Sequence, residues 1–346
     1  MPRIRLELLA RCPRLRVLGW HAGVLYAARA YEVLRWMPGT REWELAGEFD
    51  PGVFRRWMSR TRLGDRFARG GCHGLARLRD GNLLASFPGL IALRRAGTLR
   101  FCPVLPIPRG RRPLGMASTP DGWVYFGEYF PNPDRDAVHV FGSRDGEHWQ
   151  IVYTFPPRTI RHVHTITYDA YGKCLWVLTG DDGDECRILR ASPDWSSVDV
   201  VLAGGQQARA VALVPLADGV YYASDTEKEP NFIYRLDREG RTARLAPIAA
   251  SSFHGCRVGR TLFFSTGVEP SRVNLGRHAV LYGSADGTHW DTILKWRRDR
   301  WHLRLFGYAN IVLASGENDG DVLAASGTAV RREDEVTHVW RVRLEE

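Results

Sequence analysis

The chain has 346 residues, 44% hydrophobic and 25% charged, with 12 Trp, 12 Tyr and 35 Gly, a balance that excludes a disordered polypeptide and suits β-structure rich in turns. Its net charge of +9 is carried almost wholly by arginine, because Lys173, Lys228 and Lys295 are the only lysines. With no basic helix or aromatic stacking motif beside it, that charge reads as compositional bias, and no nucleic-acid partner is expected.

In chain order, residues 4–9 come first and alternate Ile4, Leu6 and Leu8 with Arg5 and Glu7, the pattern of a strand with one buried face. Five arginines interrupt the first twenty residues, so no apolar core of signal-peptide length is present there. No later run approaches the roughly 20 apolar residues of a membrane span. A cytoplasmic protein without membrane contact is therefore expected. Six cysteines contain no Cys-x-x-Cys pair and are expected as free thiols.

A short apolar run ending in small or polar residues then recurs at 24–28, 83–86, 124–128, 175–180, 220–224, 262–267 and 322–326. The copies lie roughly forty to sixty residues apart, the period of propeller blades. Each is preceded by a strand-like stretch and a turn signal, such as Asp80-Gly81, Asp121-Gly122, Asp218-Gly219 or Asp319-Gly320, and followed by two more strand candidates. Four antiparallel strands per unit, A to D outward from the axis, predict an all-β, seven-bladed β-propeller spanning residues 1–346 as one domain. The last unit has A near 305–315, B at 322–326 and C near 336–343, and then the sequence stops. The strand at 4–9 is predicted to supply its missing outer strand and close the ring. Residues 51–71 fall outside the repeat. They carry Phe54, Trp57, Met58, Leu63 and Phe67 among six arginines and read as an inserted amphipathic helix or ordered loop, either covering a binding face or filling a gap between blades one and two.

Two outer hairpins read Ser143-Arg144-Asp145-Gly146-Glu147-His148-Trp149 and Ser284-Ala285-Asp286-Gly287-Thr288-His289-Trp290, with degenerate versions near Asp194 and at 38–43. These segments resemble the Asp-box, or BNR, repeats of sialidase-like propellers. The resemblance implies a structural turn, with the carboxylate on its own backbone N–H groups and the Trp between strands, and it does not imply glycosidase activity. Sialidase chemistry is not expected, because Arg3-Ile4-Arg5 and Pro106-Ile107-Pro108 are poor matches to the signature of that family.

Strand direction assigns functional residues to one face. If A descends, B returns, C descends and D ascends, then A-strand starts and B-strand ends share the top, and C–D turns lie at the bottom. The starts carry His73, Arg161, His162, His164, Arg209 and His254, with Gln206 just ahead; the B-strand ends carry Glu128, Asp181, Asp225 and Glu269. Imidazoles and carboxylates converging on one channel mouth are what an active or metal site requires. His162 and His164, two apart on a strand, are expected to point the same way. A divalent metal, Mn or Zn, is the candidate cofactor, on His73, His162, His164, His254 and Gln206, the alternative being no cofactor. That set resembles the three-His-plus-Gln manganese site of oligogalacturonate lyase propellers, a likeness of constellation that implies a metal neutralising a uronate carboxylate during β-elimination.

Without a metal, the same groups suit acid/base chemistry: His164, His73 and His254 as bases or acids, Arg209 on an acidic group, and Tyr308 donating to a leaving oxygen. Glu128, Asp181, Asp225 and Glu269 are the candidate substrate-binding carboxylates, and Trp57 is the candidate substrate-binding aromatic. Two functions stay open on the sequence. One is a carbohydrate-active protein, lyase or glycoside hydrolase, working on an acidic glycan or other anionic small molecule; the other is a non-catalytic propeller that binds a glycan or a protein.

Overall fold

The computed structural model describes residues 2–345 and contains seven four-stranded antiparallel sheets, each a sequence-consecutive meander except the last. Blade one runs Arg16–His21, Val24–Arg29, Glu32–Met37 and Glu42–Glu48, and blade four runs His162–Asp169, Cys174–Gly180, Arg187–Ala191 and Val198–Ala203. Blade seven takes its A, B and C strands from Asn310–Leu313, Val322–Thr328 and Val336–Glu345. Its outer strand is Arg3–Pro13, paired antiparallel from Arg3 opposite Glu345 to Pro13 opposite Val336, with a bulge between Leu8 and Ala10. The ring is thereby closed by the two ends of the chain, and the sheet edge that blade seven would otherwise expose is covered. The closing strand is longer than its alternating segment predicts, and the A strand of blade seven is shorter because Leu303–Phe306 ahead of it is helical.

Burial follows radial position. The B strands Leu83–Phe87, Cys174–Gly180, Gly219–Ser224 and Thr261–Thr266 are buried at every residue, whereas the D strand Val198–Ala203 has no buried residue. A B strand is sandwiched between neighbouring blades on both faces, so it reads as a continuous apolar run. The core is correspondingly divided into layers between blades. Tyr125, Val138 and Val140 of blade three pack with Val163, Ile166 and Val177 of blade four. Trp176 and Leu178 pack with Val220 and Tyr222 of blade five, and Val17, Leu25 and Trp36 of blade one pack with Val312, Ala314 and Val339 of blade seven.

The two Trp-bearing hairpins are C–D turns. Asp145 Oδ1 accepts from the N–H groups of Glu147 (2.9 Å) and His148 (2.8 Å), and Asp286 Oδ1 accepts from Thr288 and His289, both at 2.8 Å. Gly146 and Gly287 have φ of +78° and +77°, and a Cβ on either would run into Leu84 of blade two or Tyr221 of blade five. Each turn thus leans on the preceding blade, where a side chain would both strain the backbone and clash.

The insertion forms two short helices, Val53–Met58 and Arg62–Ala68. Arg66 of the second is buried and ties it to blade seven, donating to Asp299 (2.6 Å), Asp334 (2.9 Å) and the carbonyl of Phe306 (2.8 Å). It is thus a packed strap on the channel-mouth face. No helix among the described residues is long and apolar enough to cross a membrane.

Candidate functional site

An axial channel of about 1420 Å³ is lined at its top by Arg16, His73, Arg112, Tyr129, His164, Asp181, Arg209, Asp225, His254 and Glu269. Register shifts recur just inside the A strands of blades one, four, five and six, between Val17 and Gly19, Val163 and Thr165, Ala210 and Leu213, and Ser252 and His254. Bulges at such positions re-aim side chains and release them from the ladder. In blade four the released residue is His164.

The wall from blades four to six is a carboxylate–arginine–imidazole network. Asp181 Oδ1 lies 3.1 Å from His164 Nε2 and 3.5 Å from His162 Nε2, and its Oδ2 accepts from Arg161 at 3.0 Å. Each imidazole is braced from behind by a main-chain carbonyl, His164 Nδ1 on Ala210 at 2.8 Å and His162 Nδ1 on Phe130 at 3.2 Å. Burial opposes the charge on Asp181, but the two imidazoles beside it outweigh burial and hold the carboxyl well below the usual range. Arg209 stands 3.5 Å from both Asp181 and Asp225. Asp225 is 3% exposed; burial raises its pKa against the pull of Arg209, and its Oδ1 has no partner. Glu269 is pushed up to about 7 by burial and by the Asp225 charge, with Glu227 adding to the effect and Arg209 and Ser251 opposing it.

The wall from blades one to three is rich in arginine, with the Asp65 carboxylate close enough to Arg16 to act on its charge but in no ion pair with it. Arg16 meets His73 Nδ1 at 2.5 Å, and Arg112 makes no hydrogen bond or ion pair among the described residues. Burial, reinforced by Arg16, Arg111 and Arg69, lowers the Arg112 pKa to about 9. Arg16 Nε and Arg112 Nη1 are both buried atoms without partners. Guanidinium groups that face a channel with N–H groups left unpaired have the chemistry to hold an anion.

Several residues selected from the sequence have other duties. His73 lines the channel, but Nδ1 accepts from Arg16 and Nε2 donates to the Gly70 carbonyl at 2.6 Å, which leaves no lone pair for a metal. Burial, with Arg112 and Arg16 nearby, keeps its imidazole neutral. His254 lines the same channel and is lowered to about 3 by burial and Arg16, yet it stands outside the cluster of ligand atoms formed by His162, His164 and Asp181. Gln206 is occupied at both ends, donating to the Asp181 carbonyl at 3.0 Å and accepting from Thr226 at 2.8 Å. Glu128 is buried in a two-point pair with Arg109 and also accepts from His139 N, so it is a structural carboxylate. Tyr308 and Trp57 are exposed and absent from the channel lining.

Arg16, Arg112 and Tyr129 are mouth residues that the sequence reading passed over. Arg16 begins the A strand of blade one, the same position that singled out Arg209 and His254. Arg112 was hidden in an arginine-rich loop ahead of the short A strand Ala117–Ser118. Tyr129, whose ring centroid is 4.4 Å from that of His162, follows the B-strand end at Glu128.

No family model matches the chain, and no curated protein matches it. Solved structures do. A chain of the structure titled "Crystal Structure of Mitotic Checkpoint Complex" aligns with a TM-score of 0.59 at 13% identity, covering 98% of this chain and 93% of that one. The WD40 β-propeller domain of Doa1 aligns with a TM-score of 0.59 at 11% identity, covering 98% and 97%. At such identity the likeness defines a class by fold alone: this chain is a seven-bladed β-propeller, similar in architecture to WD40 propellers.

Proposed function

We propose that the channel mouth binds an acidic glycan, its carboxylate on Arg16 and Arg112, and cleaves it by acid/base chemistry as a polysaccharide lyase. The observation that carries this reading is a pair of part-buried guanidinium groups, Arg16 and Arg112, that line the channel without a carboxylate in ion-pairing range and each leave one buried nitrogen unpaired. Neutralising a uronate carboxylate acidifies the proton on its α-carbon. Glu269, raised to about 7 on the opposite side of the ring, is matched to take that proton near neutral pH. The C–O bond β to the carboxylate then breaks, the electron pair leaves on the glycosidic oxygen, that oxygen takes a proton from channel water, and the hydroxide so formed takes back the proton held by Glu269. An unsaturated uronate is left.

A second reading, a non-catalytic propeller that docks a partner, is favoured by one feature. The first inserted helix buries no residue and leaves Val53 88%, Phe54 71% and Trp57 61% exposed.

Titration calorimetry with uronate oligosaccharides, paired with absorbance detection of unsaturated product, tests the main reading. Wild-type protein is expected to bind and to release product, and Arg112→Ala to lose at least about 10-fold in affinity, the loss of one charge-assisted contact worth roughly 1.5–3 kcal/mol. Binding without product favours the second reading, and no binding to any acidic glycan removes the first.

A further inference from the structure

The atoms His162 Nε2, His164 Nε2 and Asp181 Oδ1 lie within 4.8 Å of one another. We propose that they form a divalent transition-metal site, zinc being the best match, with an open position toward the channel. The histidine set expected from the sequence is replaced: His73, His254 and Gln206 give way to Asp181.

Tautomers supply the first argument. A carbonyl oxygen only accepts, so the Ala210 and Phe130 carbonyls place a proton on Nδ1 of each ring. In the neutral rings both Nε2 lone pairs then face a carboxylate oxygen, and either a second proton on each ring or a metal cation between the three atoms would hold them together. A main-chain carbonyl behind each imidazole is also how metal-bound histidines are oriented.

The spacing supplies the second. Protons would draw each N–H···O⁻ contact to about 2.7–2.9 Å. Metal–ligand bonds of about 2.0–2.1 Å in a tetrahedron put ligand atoms about 3.3–3.4 Å apart. The observed separations from Oδ1 are 3.1 and 3.5 Å. His162 Nε2, on a residue 5% exposed, is left without a hydrogen-bond partner and is aimed at this point.

Neighbouring arginines leave the position clear. Arg161 bonds the other oxygen of Asp181, and Arg209, 3.5 Å from Oδ1, is beyond N–H···O bonding range and equally close to Asp225. The site does not depend on the acidic-glycan reading, since its ligands are distinct from Arg16, Arg112 and Glu269.

The experiment is a Co²⁺ titration of the full chain after dialysis against a chelator, followed by visible absorbance. One equivalent is expected to bind with the intense bands of a low-coordinate nitrogen/oxygen site and to be displaced by Zn²⁺. His164→Ala and Asp181→Asn are each expected to weaken Co²⁺ by about 100-fold or more, because removing a ligand exceeds the roughly 10–100-fold cost of altering the groups behind one. His254→Ala should leave Co²⁺ affinity unchanged. His162→Gln, tested with thermal melting to establish folding, covers the case in which Asp181→Asn does not fold. Failure of the wild-type chain to bind one equivalent, or unchanged binding in the folded ligand variants, overturns the site. Uronate binding by the metal-free chain is read separately, so the two proposals fail independently.

Discussion

At the C–D turns of blades three and six an imidazole meets an aspartate, His148 with Asp145 and His289 with Asp286, both at 2.7 Å. At the channel mouth on the other face His164 meets Asp181 at 3.1 Å. The residue types are the same, but their surroundings differ. In the turns the histidines are 89% and 61% exposed, and one oxygen of each aspartate is committed to its own backbone. At the mouth the histidines are buried, and Asp225 Oδ1, Arg209 Nε, Arg112 Nη1 and His162 Nε2 have no partner. A His–Asp contact therefore makes a candidate site only where the pair is buried among charged atoms that lack partners, since burying such atoms is costly.

The largest effect that sharpens this contrast is expected from Arg209→Ala. It strips the nearby cation from the buried Asp225, and breaking such a pair typically costs about 3–5 kcal/mol. Channel water places the expected loss near the lower end, to be read by chemical denaturation. Asp145→Ala and Asp286→Ala should each cost about 1–2 kcal/mol through lost turn capping, additively because the turns belong to different blades, with no change in uronate affinity. A loss of uronate affinity in either turn variant would break the contrast.

The smallest effect separates the regions by the sign of their pH dependence. Burial opposes ionisation of Asp145 and Asp286, but their turn hydrogen bonds outweigh it and hold both below the usual range. Their contribution to stability is present above about pH 4 and lost as pH falls through their depressed folded values. Glu269 does the reverse. Its folded value of about 7 exceeds the ordinary glutamate value of 4.5, so its contribution is full below 4.5 and lost as pH rises toward 7. Glu269→Gln should remove the slope between pH 4.5 and 7 in melting temperature. It should also flatten the expected tightening of uronate binding as pH falls through 7.

The ring was legible in the sequence because it is specified locally. A buried B strand declares itself in five to seven apolar residues, a hairpin in one Asp-Gly pair, and the closing strand in the alternation of Ile4, Leu6 and Leu8. Strand direction also indicated which residues share a face, and Arg209, His164, Asp181, Asp225 and Glu269 all line the one channel. Which of these groups are free was decided only by the tertiary structure. Arg109 takes Glu128 from 19 residues away, Arg16 takes His73 from 57 residues away, and Gln206 reaches back to the Asp181 carbonyl. Periodicity fixes where a side chain begins, but its partner is set by the packing of separate blades, and for a charged group in a buried channel that partner determines whether it can act.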